Sequence, residues 1–340
     1  MMIRPLIKLF RRAQLQALIH VGLLLKPFYK VVYLAAAKES GVLDLLSDQP
    51  LGFEGIAAAC CKDKADAKAR QALNAWLQMG VRLGLLKNGS PGYTLKGLAR
   101  DLVSPQNDAL LALVQEAAVL HHRLISSTPL KLQKGEFWNL GDQDGKLTAR
   151  SSRALEAFQT EAIDRTFPAS GVVRLLEIGC GSAFYICYAA ERNPSLSAVG
   201  LELQAEVAEQ ARQDVRRCGL QDRVQIEVGD IQNRLVGETF DIVTLYNNVY
   251  YFPVEERVPL LRDLGTFLKA EGTLLLTTCC QGGSVGAEAL NLWTAATATG
   301  GRLPNVEEMV GQLRSAGYRD VQVIRLTPTD SFYAFRARLA

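Results

Sequence analysis

The chain has 340 residues, 48% of them hydrophobic, with 38 basic against 35 acidic side chains and a formal charge of +3. That length has room for two modest domains with real cores, and a mean hydropathy near zero is an ordinary globular composition. The charge excess is too small to argue for nucleic acid, and three histidines with seven cysteines in no Cys-x-x-Cys pairing give no basis for a metal site.

Residues 1–28 read as a basic amphipathic N-terminal helix. From 1 to 38 the chain holds Arg4, Lys8, Arg11, Arg12, Lys26, Lys30 and Lys38 with no acid, while Ile3, Leu6, Ile7 and Phe10 recur at helical spacing. The apolar run Leu15 to Leu25 contains Gln16 and His20 and is too short to span a bilayer, which disfavours a transmembrane anchor. No small-residue cleavage site follows cleanly, which disfavours a secretory signal. Two readings stand: an arm packing against a second subunit, and peripheral contact with an anionic membrane surface.

Residues 29–105 form a smaller, mostly helical domain. Val31 to Ala37 runs to Leu43 to Leu46, Phe53 to Ala59 follows, and a helix from Ala65 to Met79 leads to a hairpin, Gly84 to Leu95, with Pro91 and Gly92 at its tip. Three helices and a hairpin describe a winged helix. The helix from Ala65 carries Lys68 and Arg70 but then turns to Ala, Leu and Trp76, as a buried helix does, so DNA binding is disfavoured. Residues 106–170 read as a helical linker and lid. His121 and His122 are helix neighbours about 100° apart and cannot both face one metal; they are taken as helix surface and cavity lining. The cysteines, Cys60, Cys61, Cys180, Cys187, Cys218, Cys279 and Cys280, are an odd count that reads as thiols of a reducing, cytoplasmic setting.

From residue 171 to 340 strand and helix alternate. The apolar run Val172 to Leu176 enters Glu177-Ile-Gly-Cys-Gly-Ser-Ala183, a buried strand ending in a glycine-rich turn that opens a helix from about Ser182 to Arg192. Gly179 and Gly181 lack a Cβ, so the backbone turns sharply and lets a ligand approach its amides, as a nucleotide-like cofactor requires. Leu196 to Glu202 and Arg223 to Asp230 are strands ending in acids, Phe240 to Tyr246 is a fourth and Gly272 to Cys279 a fifth. Helical patterns at Ala205 to Arg217 and Val254 to Leu268 lie between them. This alternation predicts an α/β fold with a doubly wound sheet whose ligands sit at the carboxyl ends of the strands.

The order of these motifs resembles the class I S-adenosylmethionine-dependent methyltransferases over about Val172 to Ala340, with Val321 to Leu326 and Ser331 to Leu339 as the last two strands. The resemblance implies a Rossmann-like seven-stranded sheet, mostly parallel with the last strand antiparallel, and S-adenosyl-L-methionine as cofactor. Glu177, Gly179 and Gly181 match the loop that cradles the methionine half. Glu202, with Leu203 beside it, takes the place of the acid on the ribose hydroxyls; a carboxylate accepts both protons of a vicinal diol. Asp230 and Ile231 match the adenine site, acid on the exocyclic amine and apolar neighbour on the ring. Tyr246, Asn247 and Asn248 follow the fourth strand, where backbone groups hold the cofactor's amino-acid end. Residues 29–105 resemble the N-terminal dimerisation domain of plant-type O-methyltransferases and their bacterial relatives, which implies a homodimer. A nicotinamide-dependent oxidoreductase fits less well: Ala183 stands near the missing third glycine, and the acid after the third strand has no role in that pattern.

In the plant-type enzymes a histidine shortly after the fourth strand is the general base. Tyr250 stands at that position, and no histidine follows residue 122. A tyrosine with a pKa near about 10 is a poor base at neutral pH but a reasonable hydrogen-bond donor. Tyr250, with Tyr251, is therefore expected to orient an acceptor that is already nucleophilic, which leaves O-, C- and N-methylation open; packing beside the cofactor is the other reading. His121, Phe137, Trp138, Phe158, Tyr185 and Trp293 are candidates to line a pocket for a small hydrophobic or aromatic acceptor. A non-catalytic or regulatory protein that keeps the cofactor fold is the alternative, since cofactor motifs imply binding, not turnover.

Overall fold

The computed structural model describes residues 3–63, 66–234 and 237–339, with the backbone alone for 3–6. Ala65, the expected helix start, lies outside the described residues. The chain divides between Val119 and Leu120 into two compact units.

The first unit begins with α1 (Ile3–Arg11) and α2 (Gln14–Glu39), separated at Ala13, whose φ of 54° is left-handed and breaks the helix. Helix α2 runs through residue 28, where the sequence placed a boundary, because Tyr33, Leu34, Ala35 and Ala37 in its last turns are buried in the unit's core. Then come α3 (Val42–Asp48), α4 (Phe53–Cys60) and α5 (Ala67–Leu83). Helix α5 starts where Asp66 accepts from the amides of Lys68 and Ala69 at 2.8 and 3.1 Å. A hairpin of β1 (Leu86–Asn88) and β2 (Tyr93–Leu95) follows, then α6 (Leu98–Leu102) and α7 (Asp108–Glu116). The expected boundary at 105/106 is displaced because α7 packs on α2 and buries Leu111 and Ala112 in this unit. Arg70 is ion-paired with Glu54 and lies over the Phe53 ring, so it ties α5 to α4 rather than facing outward.

The second unit holds α8 (His122–Gln133), α9 (Gly145–Ser151) and α10 (Glu156–Asp164), then a single seven-stranded sheet. Its elements are β3 (Val173–Ile178), α11 (Phe184–Arg192), β4 (Leu196–Glu202), α12 (Ala205–Arg217), β5 (Val224–Val228), β6 (Phe240–Tyr246), α13 (Arg257–Thr266), β7 (Leu268–Cys279), α14 (Val285–Ala296), α15 (Val306–Ser315), β8 (Tyr318–Arg325) and β9 (Phe332–Leu339). The spatial order is β5-β4-β3-β6-β7-β9-β8, with β3 to β7 parallel and β9 antiparallel to both neighbours. The sheet is as the sequence led one to expect. Its strands alternate faces: Leu176, Ile178, Val199 and Val243 meet α13 and α15, while Val173, Leu175, Ala198 and Ile242 meet α10, α11 and α12.

In the first unit, Tyr33 stacks on Trp76 at 4.3 Å, and its ring occupies the space a Cβ on Gly80 would need, with Leu86 only 2.9 Å from that point. Gly80→Val is expected to lower unfolding stability by about 1–3 kcal/mol through overpacking, measured by chemical denaturation.

Candidate functional site

Strand order reverses across β3, whose neighbours β4 and β6 lead to opposite ends of the sheet. In parallel α/β sheets the crevice outside the carboxyl ends at such a switch point is where ligands bind. Ile178 is level with Leu201 on one side and Leu245 on the other, so the loops after these strands open onto one cleft. Glu177, Gly179, Gly181, Glu202, Leu203, Asp230, Ile231, Tyr246, Asn247, Tyr250 and Tyr251 all lie on its wall.

The loop after β3 needs its glycines. Gly179 and Gly181 have φ of 62° and 55°, and a Cβ on Gly179 would strike the Asn248 side chain. Asn248 Nδ2 donates to the carbonyl of Ile178 at 2.8 Å, locking the loop after β3 to the one after β6. Ala183 is left-handed too, with φ 58°, so α11 begins at Phe184 rather than at Ser182.

Glu202 binds the loop from the other side. One carboxylate oxygen accepts from the Gly181 amide and the other from the Gln204 amide, each at 3.0 Å. The Gly181 amide, expected to meet the ligand, is therefore engaged by Glu202. The carboxylate keeps further lone pairs as acceptors. Asp230 Oδ1 accepts from the Gln232 amide at 3.0 Å, and Ile231 beside it is buried.

Glu177 is 2% exposed and its Oε2 has no hydrogen-bond partner; burial pushes its pKa up to about 8. Tyr246 and Tyr185 meet edge to face at 5.5 Å beside it, and burial raises both phenols above their ordinary value. Tyr250 and Tyr251 are 5.0 Å apart in a short 3₁₀ turn. Their segment is held from behind by Arg257, which is fully buried. Its guanidinium donates to the carbonyls of Phe252 at 3.2 Å and Arg302 at 2.6 Å, while the Gly301 amide donates to the Tyr250 carbonyl at 3.0 Å. Burial pushes the Arg257 pKa down to about 10.

Of the expected acceptor-pocket residues, Tyr185 lines this cleft; His121, Trp138, Phe158 and Trp293 do not. Trp138 and Trp293 are both 2% exposed and pack on one another at 6.2 Å, with the Trp138 indole donating to Thr128 at 2.9 Å. They seat the 138–140 segment on α14, and Leu140 and Tyr251, which pack against them, line the cleft. His121 ends a π-helical turn, and Phe137 and Phe158 are exposed at 50% and 37%. The sequence reading missed Gln143, Thr148, Ser152 and Arg153, which line the cleft from the 140–153 segment. Arg153 lies 3.9 Å over the Phe184 ring and pairs with Glu156 at 2.7 Å. No spacing rule links them to the glycine loop, so only the fold brings them there. Among the described residues no cluster of His, Cys, Asp and Glu suits a metal.

Residues 175–272 match the family described as "Methyltransferase domain". Over 95 residues the chain is 32% identical to the tRNA1(Val) (adenine(37)-N6)-methyltransferase of Shigella boydii, a stretch that covers 27% of this chain and 39% of that relative. Among solved structures, mitomycin 7-O-methyltransferase superposes with a TM-score of 0.78 at 20% identity, covering 97% of this chain and 100% of that one. Human N-acetylserotonin methyltransferase, solved with its cofactor, gives 0.74 at 18% identity, covering 96% and 98%. The chain thus has a methyltransferase domain and the O-methyltransferase fold.

Gly179→Ala is expected to weaken ligand binding in the cleft at least about tenfold while the protein stays folded, since it forces φ > 0 on a Cβ and displaces Asn248. Glu177 titrates in the folded protein near 8, above an unfolded glutamate at 4.5. The stability it contributes is therefore complete below the unfolded value and lost as pH rises through about 8. Denaturation series at pH 5 and pH 8 should show a fall that Glu177→Gln flattens; an equal fall in that variant would contradict the assignment.

Proposed function

We propose that this chain is an S-adenosylmethionine-dependent methyltransferase acting on a small, largely apolar acceptor in a cytoplasmic setting. The observation that carries the reading is the meeting, at the switch point, of a left-handed glycine loop with three acidic side chains of different environment. Glu202 would accept from the ribose hydroxyls and Asp230 from the adenine amine, with Ile231 and Leu203 against the ring. The buried, unpartnered Oε2 of Glu177 suits the cationic methionine end, and the Arg153 guanidinium its carboxylate. When bound, the cofactor supplies a methyl carbon made electrophilic by a sulfonium.

The chain's own part is then to position and to dry. Tyr250 and Tyr251, held by Arg257 and Gly301, would orient the acceptor through their hydroxyls, and Phe252, Tyr185 and Leu140 would exclude water. With no histidine after residue 122, base-assisted methylation of an ordinary phenol is disfavoured, and an acceptor that is already nucleophilic is favoured. The tRNA substrates named for the curated relatives do not carry over: the shared stretch covers 39% of such a relative, and a formal charge of +3 gives no phosphate-binding excess.

Calorimetric titration with S-adenosylmethionine and S-adenosylhomocysteine is the test. Micromolar binding is expected, weakened at least about tenfold in Asp230→Ala and in Glu202→Ala with unchanged circular dichroism. No binding, with NADH binding instead, would overturn the reading. For Tyr250→Phe, turnover across aromatic, polyketide-like and tetrapyrrole acceptors should fall at least about tenfold with cofactor affinity kept. Unchanged turnover would make Tyr250 a packing residue.

A further inference from the structure

We infer that Cys187 and Cys218 form a redox modification site, an intramolecular disulfide made by hydrogen peroxide and undone by a small-molecule thiol. Cys187 stands in the first turn of α11, 5% exposed, while Cys218 caps the far end of α12 on the surface. The fold brings their sulfurs close enough to hydrogen-bond to one another. Contacts that involve no sulfur hold that meeting in place. Cys187 shares a core cluster with Val215 and Leu220, which flank Cys218, and the Arg223 guanidinium beyond them donates to the carbonyl of Ala190 on α11 at 2.9 Å. By contrast, Cys60 with Cys61 and Cys279 with Cys280 are chain neighbours. Their Cα atoms stand about 3.8 Å apart, closer than the roughly 4.4–6.8 Å that a disulfide spans.

The chemistry runs from the surface inwards. Burial, with the Cys218 sulfur beside it, pushes the Cys187 thiol up to about 12, so Cys187 is shielded from solvent oxidants while Cys218 is open to them. The Cys218 sulfur attacks one peroxide oxygen: the O–O bond breaks, an S–O bond forms and water leaves. Cys187, already in contact, attacks the sulfenic sulfur so formed; the S–S bond forms, the S–O bond breaks, and hydroxide leaves with the Cys187 proton as a second water. The two thiols give up two electrons and the peroxide takes them. Gly219, at φ 69°, ends α12 directly after Cys218, so that end of the pair adjusts while Cys187 stays in the core. Between the two cysteines run β4 and α12, which carry Glu202, Leu203, Gln204 and Val207 of the cleft wall. The bond therefore closes a covalent loop around one side of the cleft, and such a loop disfavours the unfolded chain.

The test treats the fully reduced full chain with a slight excess of hydrogen peroxide. The mass should fall by about 2 Da as two hydrogens leave, with peptide mapping that links Cys187 to Cys218 and dithiothreitol reversing the change. The oxidised form should melt about 5 °C higher. Cys218→Ser, a surface change, should abolish the link and leave Cys187 a free thiol. Cys187→Ala should stop the reaction at a Cys218 sulfenic acid that dimedone traps. A link between other cysteines or between two chains, Cys218 driven to sulfinic acid without a link, or no reaction at Cys218 would each overturn the inference. None of these readouts depends on which ligand the cleft binds.

Discussion

The carboxylate of Glu202 ties together three pieces of chain that the sequence keeps apart. It ends β4, accepts from Gly181 in the loop after β3, and accepts from Gln204 at the start of α12. Charge-assisted bonds to backbone amides are stronger than neutral ones, and these two fix the loop and the entry to α12 against each other. The left-handed turns at Gly179, Gly181 and Ala183 are thereby over-determined from outside, which is the condition for backbone in sparsely populated conformations to persist. Asn248 is its counterpart on the β6 side, tying the loop after β6 to the loop after β3.

Around this frame the protein accepts two groups that water would hold more comfortably. Glu177 is buried with one oxygen unpartnered, and Arg257 is buried with Nη1 unpartnered. Their pKa values move in opposite directions for one reason, since burial disfavours whichever form is charged. The two differ in use. Arg257 finds backbone carbonyls at Phe252 and Arg302 and so holds chain segments, whereas Glu177 faces the cleft and carries a cost in the free protein that a cationic ligand would relieve. Such a cost is typical of sites that trade stability for binding.

How much of this was legible follows from what leaves a periodic or local trace. The strands of the sheet read directly because their burial alternates or saturates over short runs bounded by glycine and acids, and Glu202 and Asp230 read because an acid closing a buried strand is a local signal. Trp138 and Trp293 misled because large aromatic residues in a lid resemble pocket walls, while their burial is spent on each other and on α14. Arg153 left no trace, being one arginine among ordinary helical residues whose place beside Phe184 arises only when α10 folds onto α11. The boundary at residue 28 is overrun because the buried Tyr33 to Ala37 stretch extends one helix through it.

Tyr250 is where these strands of argument meet. It is only 5% exposed, yet it borders the cleft, and its main chain is fixed by Gly301 while the turn that carries it is fixed by Arg257. A side chain used merely to fill space does not require a buried guanidinium to hold its backbone, because apolar packing of similar volume fixes a turn at lower cost. The expense is accounted for if the hydroxyl must be kept at one place relative to the loop after β3, and a phenol so placed donates a hydrogen bond far more readily than it removes a proton at neutral pH. A hydroxyl so placed suits the orienting part proposed for it above.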